Sequence, residues 1–253
     1  MAPFAVVYTI EERDRVRERL LALAANDERI VGAALVGSLA GGRADRWSDL
    51  DLTFAVRDGV DVRGVLEDWT DRMRGEFDAL GLFDLPSGET IYRVFLLPDG
   101  LQSDLSFSPE RHFGAAGPRF QLLFGEAVDL PLSPSRSAQD IFGWGVAYAR
   151  DARACIDRGR PWQAEHCASA VRDHALALAC ARRGLPARFG RGIDDLPPDI
   201  LRSFDGTLVR TLAAEELMWA LERSVDCLLA EAGELGDLAA RAEPRIRAWF
   251  AEA

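Results

Sequence analysis

The sequence predicts an α/β (α+β) N-terminal domain with a small mixed sheet, followed by an all-α helical-bundle domain. Segments with strand character occur only before about residue 130, where they alternate with helical patterns. The stretch DLPLSPSRS is rich in proline and serine and indicates a boundary loop, and every later segment has helical periodicity. We therefore expect two domains, residues 1–130 and residues 131–253.

The elements of the first domain follow from local patterns. Thr9 and Glu12 form a capping-box pattern that starts a helix over about residues 10–27. The apolar run IVGAALVG and the alternating segment LDLTFAV predict the first two strands. Helical spacing of apolar residues over residues 61–80 predicts a helix after the second strand. ETIYRVFLL and LQSDLSF flank the turn sequence PDG, so they predict a hairpin.

The second domain is predicted to contain only helices. Apolar stripes indicate helices over about residues 138–158 and 162–183. After a break at two consecutive prolines, a long helix is expected over about residues 207–231, and a last helix follows two glycines, Gly233 and Gly236.

The charge of the chain restricts its partners. It contains 30 basic and 41 acidic residues, which gives a formal net charge of −11. Because this charge repels a phosphate backbone, we expect no nucleic-acid partner and favour a small cationic one.

No apolar run is long enough for a membrane helix and the N-terminus lacks a signal-peptide pattern, so we expect a cytoplasmic protein without membrane attachment. A homodimer is compatible with the sequence.

The segment between the first two predicted strands contains two closely spaced carboxylates. Gly37 and Ser38 end the first strand, ten residues of glycine-rich turn follow, and Asp49 and Asp51 begin the second strand. Because side chains alternate along a strand, both carboxylates point to one face while the apolar residues point to the other. Paired carboxylates repel each other without a counter-ion, so the pattern predicts a Mg²⁺ site.

A third carboxylate is expected from a neighbouring strand. Alternation in LQSDLSF places Asp104 on the polar face of the hairpin, away from the core. Three acids on adjacent strands would suit two Mg²⁺ ions, so we assign Asp49, Asp51 and Asp104 to both metal binding and catalysis.

The glycine-rich turn is expected to bind the phosphates of a nucleotide. Glycine allows close approach of the backbone to a phosphate, and N–H groups at the start of a helical turn face its charge. Arginines add charge-assisted contacts. The residues that we assign to nucleotide binding are Gly37, Ser38, Arg43, Arg46 and Ser48.

The segment from Val36 to Leu52, followed by Asp104, resembles the DNA polymerase β-like nucleotidyltransferase superfamily. With its helical second domain, the chain is similar to the aminoglycoside nucleotidyltransferase branch. The resemblance implies that Gly37 and Ser38 hold phosphate while Asp49, Asp51 and Asp104 bind metal. It also implies in-line attack of a substrate hydroxyl on the α-phosphate of ATP or another nucleoside triphosphate.

The general base is not settled by the resemblance. A member of that branch supplies a glutamate base and a phosphate-binding lysine from the first helix of its second domain, where this sequence has Ala147 and Asp151. Asp151 itself, Glu165 on the polar face of the next helix, and Asp104 are the candidates.

The sequence therefore predicts transfer of a nucleotide monophosphate, AMP from ATP being the favoured case, to a hydroxyl of a small cationic acceptor such as an aminoglycoside. Pyrophosphate would be released. The alternative is a non-catalytic nucleotide-binding or antitoxin-like module that acts through a protein partner. The acidic triad favours the enzyme, because a binding module has no need of mutually repelling carboxylates.

Overall fold

A computed structural model describes residues 8–42, 44–115, 117, 119–131 and 136–250. In it the chain divides into two compact units, Met1–Pro134 and Ser135–Ala253. The first unit is α+β and the second is helical. None of the helices in the described ranges is long and apolar enough to cross a membrane.

The first unit alternates helices and strands in its N-terminal half and is mostly strand afterwards. Its elements in chain order are α1 (Ile10–Ala25), β1 (Ile30–Val36), α2 (Gly37–Ala40), β2 (Leu50–Val56), α3 (Val62–Phe77), β3 (Leu80–Ser87), β4 (Thr90–Leu96), β5 (Gln102–Pro109), β6 (Gly114–Ala115), β7 (Phe120–Phe124) and β8 (Val128–Asp129). The capping box is confirmed at the start of α1, where Thr9 and Glu12 exchange hydrogen bonds.

Six of these strands form one mixed sheet in the order β3-β4-β5-β2-β1-β7. β2 pairs antiparallel with β1 and parallel with β5, so it occupies an interior position with a neighbour on each side. β4 and β5 pair antiparallel, which confirms the predicted hairpin. The parallel contact between β2 and β5 matters for function because it places their N-terminal ends side by side.

The core of the first unit lies between one face of the sheet and the helices α1 and α3. Phe54 from β2, Trp69 from α3 and Phe107 from β5 form a fully buried aromatic cluster with ring centroids 4.9 to 5.4 Å apart. Burial of three large rings in contact anchors the central strands, since each buries on the order of 150–250 Å². On the opposite face of β2, Asp51 and Thr53 are only partly buried, while Ala55 packs in a small cluster with Ala34 and Phe113.

The second unit is a helical bundle with its own apolar core. Its α-helices are α4 (Ala138–Asp157), α5 (Pro161–Ala181), α6 (Pro198–Ser203), α7 (Ala214–Ala230) and α8 (Gly236–Arg247). The core is built from small and branched residues of α4, α5 and α7, with Ala149, Val171 and Leu221 fully buried. The four cysteines are buried free thiols.

The main differences from the sequence prediction are two edge strands and the start of one helix. The edge strands β3 and β7 were not predicted, because neither alternates buried and exposed residues as a half-buried strand would. The helix predicted from about residue 207 begins only at Ala214. Asp205–Thr207 instead forms a short 3-10 turn in which the Thr207 hydroxyl donates to the carbonyl of Phe204, so the chain leaves the helical path there.

Candidate active site

Asp51 and Asp104 lie side by side on two neighbouring strands. In the parallel ladder of β2 and β5, the two aspartates are register partners. On β2 the neighbours Leu50 and Leu52 are fully buried in the core, while Asp51 is only partly buried and points to the other face. Alternation in two paired strands thus brings both carboxylates to the same polar surface.

Asp49 completes a cluster with these two residues. One carboxylate oxygen of each of Asp49, Asp51 and Asp104 lies within 4.8 Å of the others, and all three side chains are partly buried. Three like charges at this separation repel one another strongly unless a cation lies among them. Carboxylate oxygens are the ligands that Mg²⁺ prefers, so the donor set fits a divalent metal site.

Asp49 is held differently from the other two acids. It precedes the first residue of β2 and so lies outside the strand ladder. The preceding turn, Asp45–Ser48, is closed by its own side chains: the Ser48 hydroxyl donates to Oδ1 of Asp45 at 3.1 Å, and the Asp45 N–H donates to the Ser48 hydroxyl at 2.9 Å. The position of Asp49 therefore depends on this turn.

The electrostatics of the cluster reflect its crowding. The pKa of Asp104 is raised, chiefly because burial disfavours the charged carboxylate and further because the charge of Asp49 is nearby. A hydrogen bond from Nε2 of Gln102, at 2.9 Å from Oδ1, acts in the opposite direction on this pKa. A carboxylate with a raised pKa is a better proton acceptor than an ordinary one.

Gly37 leaves room for Asp51 at the end of β1. Its φ of +68° lies in the left-handed region, which glycine adopts without steric cost. A Cβ built on this residue would stand 1.8 Å from Oδ2 of Asp51. A side chain at position 37 is therefore incompatible with the observed position of this carboxylate.

Ser38, in the turn α2, has a hydroxyl that is buried and lacks a hydrogen-bond partner within the described part of the chain. Ser106, two residues after Asp104 on the same face of β5, has a second such hydroxyl. Buried hydroxyls are normally hydrogen-bonded, so orphaned ones beside an acidic cluster fit a polar ligand. The residues present are thus compatible with a metal ion and the phosphates it would carry.

The other residues predicted to bind nucleotide have different surroundings. The Ser48 hydroxyl is engaged within its own turn with Asp45. Arg46 is exposed and its guanidinium lies 4.5 Å from the ring centroid of Trp47. Arg43 lies outside the described residues. Nucleotide binding by these three residues stays a prediction.

Arg119 is a candidate that the sequence did not reveal. It directly precedes β7, whose first residue Phe120 pairs antiparallel with Val36, so Arg119 lies at the end of β1 where the Gly37 turn begins. Its side-chain stem lies over Gly41, since a Cβ there would be 3.2 Å from Cδ of Arg119. Within the described ranges Arg119 has no carboxylate partner. No sequence signal marked it, because β7 itself was not predicted.

The predicted base candidates Asp151 and Glu165 belong to the second unit. Asp151, on α4, is exposed and pairs with Arg150 at 2.9 Å. Glu165, on α5, accepts a hydrogen bond of 2.7 Å from the Ser169 hydroxyl. Their catalytic role stays a prediction.

Comparison with protein-family models gives no match, and a search of curated proteins finds no relative of this chain. Among solved structures, the chain is similar to an aminoglycoside 6-adenyltransferase from Bacillus subtilis, with 14% identity, a TM-score of 0.42, and coverage of 97% of this chain and 100% of the other. It is also similar to a nucleotidyltransferase-like protein from Exiguobacterium sibiricum 255-15, with 16% identity, a TM-score of 0.36, and coverage of 88% and 77% respectively.

Proposed function

We propose that the protein is a Mg²⁺-dependent nucleotidyltransferase that transfers a nucleotide monophosphate to a hydroxyl of a small acceptor and releases pyrophosphate. The observation that carries this proposal is the convergence of Asp49, Asp51 and Asp104 to within 4.8 Å beside a glycine turn. A cluster of three carboxylates is unfavourable by itself and becomes favourable around divalent cations. Mg²⁺ bound there would neutralise charge on the phosphates and polarise the oxygens of the reacting groups.

The residues of this chain have separate tasks in the proposal. The three aspartates hold the metal, and Asp51 and Asp104 have fixed positions because each belongs to an interior strand of the sheet. The Gly37–Ser38 turn receives the triphosphate, with the Ser38 hydroxyl donating to a phosphate oxygen. Arg119, which has no carboxylate partner among the described residues and lies over Gly41, supplies a positive charge to the same phosphates.

The reaction requires one proton to leave the acceptor hydroxyl. The oxygen of this hydroxyl bonds to the α-phosphorus while the bond from this phosphorus to the bridging oxygen breaks, and pyrophosphate departs. We assign the proton to Asp104, which belongs to the carboxylate cluster and whose pKa is raised by burial. Asp151 and Glu165 are the alternatives that the sequence offers.

The acceptor is proposed to be a small cationic molecule of the aminoglycoside type, with ATP as the nucleotide donor. Support comes from the net charge of −11, which attracts cations, and from the family resemblance of the segment Val36 to Leu52. We also propose that the protein is located in the cytoplasm.

Transfer of radioactive label tests the function directly. The protein is incubated with Mg²⁺, each nucleoside triphosphate labelled at the α-phosphate, and a panel of aminoglycosides, and both labelled acceptor and pyrophosphate are measured. Asp51→Asn should lower turnover by about two orders of magnitude or more. The control is Asp71→Asn, which removes the same charge from an exposed site on α3 whose side chain is 77% exposed.

Two outcomes would count against the proposal. Absence of both label transfer and pyrophosphate release from the wild-type protein would contradict an enzyme. Nucleotide binding without turnover, reduced in affinity by Asp51→Asn, would instead support the non-catalytic nucleotide-binding module.

A further inference from the structure

Arg13 is a charged residue in a position that suits an apolar one. It lies on the buried side of α1 with Leu20 and Ala24, and it is only 4% exposed. Removing a guanidinium from water is costly unless strong partners replace the water. Its contacts therefore indicate why arginine occupies this position.

The partners of Arg13 are main-chain carbonyls of the turn before Asp49. Nη1 of Arg13 donates to the carbonyl oxygen of Asp45 at 2.7 Å and to that of Ser48 at 3.4 Å. The nearest carboxylate, Asp14, stands 3.7 Å from Nε and makes no hydrogen bond with it. The hydrogen bonds of this buried cation thus join α1 to one turn, while Asp14 contributes an ion pair without a hydrogen bond.

A second residue reaches the same carbonyl. The buried Tyr8, which precedes α1, donates its hydroxyl to the Ser48 carbonyl at 3.5 Å. The carbonyl of Ser48 and the N–H of Asp49 belong to one planar peptide unit. Two donors to this carbonyl therefore restrain the peptide plane from which Asp49 begins.

We propose that Arg13 is a positioning residue of the metal site, which holds the Ser48–Asp49 peptide so that the Asp49 carboxylate stays beside those of Asp51 and Asp104. The inference rests on the function proposed above. Asp51 and Asp104 are held by strand ladders, whereas Asp49 lies between this turn and β2, outside the ladder. Arg13 acts from a neighbouring element and does not touch the metal or the substrate.

Direct metal binding tests this role without relying on activity. Mn²⁺ is titrated into the full-length protein and free Mn²⁺ is followed by electron paramagnetic resonance, for wild type, Asp49→Asn, Arg13→Met and Arg13→Lys. Residues that orient metal ligands typically change affinity by about 10–100-fold, so Arg13→Met should bind Mn²⁺ about tenfold more weakly. Arg13→Lys, which keeps a charged donor, should recover part of this loss. Circular dichroism establishes that each variant is folded.

The control is Arg15→Met, which removes an arginine from the same helix where the side chain is 72% exposed, and it should bind Mn²⁺ like wild type. Tyr8→Phe removes a donor to the Ser48 carbonyl while leaving the charge of Arg13 in place. It should weaken Mn²⁺ binding in the same direction, so the inference stays testable if Arg13→Met does not fold.

The outcomes separate this inference from the proposed function. Folded Arg13→Met with wild-type Mn²⁺ affinity would overturn the positioning role and leave the proposed metal site intact, as would Tyr8→Phe with unchanged affinity if Arg13→Met is unfolded. A wild-type protein that binds no Mn²⁺, or an Asp49→Asn variant that binds as well as wild type, would remove the metal site itself and this inference with it.

Discussion

Oδ2 of Asp51 occupies the space in which the side chain of residue 37 would begin. A Cβ added to Gly37 would be 1.8 Å from this oxygen and 2.8 Å from Cγ of the same carboxylate. The absence of a side chain at position 37 and the position of the Asp51 carboxylate, a proposed metal ligand, thus depend on each other. The main chain of the glycine turn approaches the acidic cluster because no side chain stands between them.

Gly37→Ala should therefore damage metal binding more than stability. The left-handed φ costs a non-glycine residue about 1–2 kcal/mol, and the clash would displace Asp51. Gly42→Ala is a matched control, because Gly42 has a similar φ of +65° with no atom within 4 Å of an added Cβ. Both variants should unfold at lower denaturant concentration, but only Gly37→Ala should lose Mn²⁺ affinity. Equal Mn²⁺ affinities in the two variants would contradict the conclusion that the position of the Asp51 carboxylate requires glycine at position 37.

Asp104→Asn should separate stability from activity. Asparagine keeps the oxygen that accepts from Gln102 but removes a charge that burial and Asp49 disfavour. The raised pKa means that ionised Asp104 destabilises the folded state at neutral pH. Metal-free Asp104→Asn should thus have a Tm equal to or above that of wild type, without turnover.

The Tm of wild type and of Asp104→Asn should also be measured with Mg²⁺ present. Mg²⁺ should raise the Tm of wild type by binding the folded state and have little effect on Asp104→Asn. A clear fall in the Tm of the metal-free variant would show that Asp104 has a stabilising structural role.

Arg119→Met should weaken nucleotide binding. Loss of a charge-assisted contact with a phosphate costs about 1.5–3 kcal/mol, so the KM for the nucleotide should rise about tenfold or more. Arg74→Met is the control, because Arg74 pairs with Asp71 on the surface of α3 and its side chain is 66% exposed. A KM for nucleotide that is the same in both variants would exclude Arg119 from the phosphate site.

Asp27 should contribute to stability in a pH-dependent way. Its buried carboxylate accepts two hydrogen bonds from the Arg29 guanidinium, each 2.9 Å, and one from Trp69 Nε1 at 3.2 Å. The Arg29 hydrogen bonds are the main cause of its low pKa of about 2, compared with 3.8 normally. The contribution is about 2 kcal/mol above pH 4 and is lost as pH falls through about 2.

Asp27→Asn should therefore unfold more readily than wild type at pH 7, with the difference shrinking between pH 4 and pH 2. Urea denaturation at several pH values measures this directly. Asp71→Asn, at an exposed site on α3, should differ little from wild type throughout. A gap between Asp27→Asn and wild type that stays constant down to pH 2 would assign the loss to packing instead of charge.

Local sequence determined the elements that carry the proposed active site. The capping box at Thr9, the apolar run of β1, and the alternation of LDLTFAV and LQSDLSF each depend on neighbouring residues alone. Alternation also determined that Asp51 and Asp104 face away from the core, since a strand has only two faces. The sequence therefore predicts the three acids as one set.

Tertiary structure decided which strands are neighbours and which contacts hold Asp49, which lies outside the strands. The parallel register that places Asp51 beside Asp104 joins segments separated by the whole of α3, β3 and β4. The edge strands β3 and β7 show no regular alternation of buried and exposed residues, because an edge strand has a neighbouring strand on one side only. Arg119, which directly precedes β7, was therefore not predicted either. The contact of Arg13 with the Ser48 carbonyl spans 35 residues and is made to the main chain. Because every residue has a carbonyl, no side-chain pattern in the sequence marks such a partner.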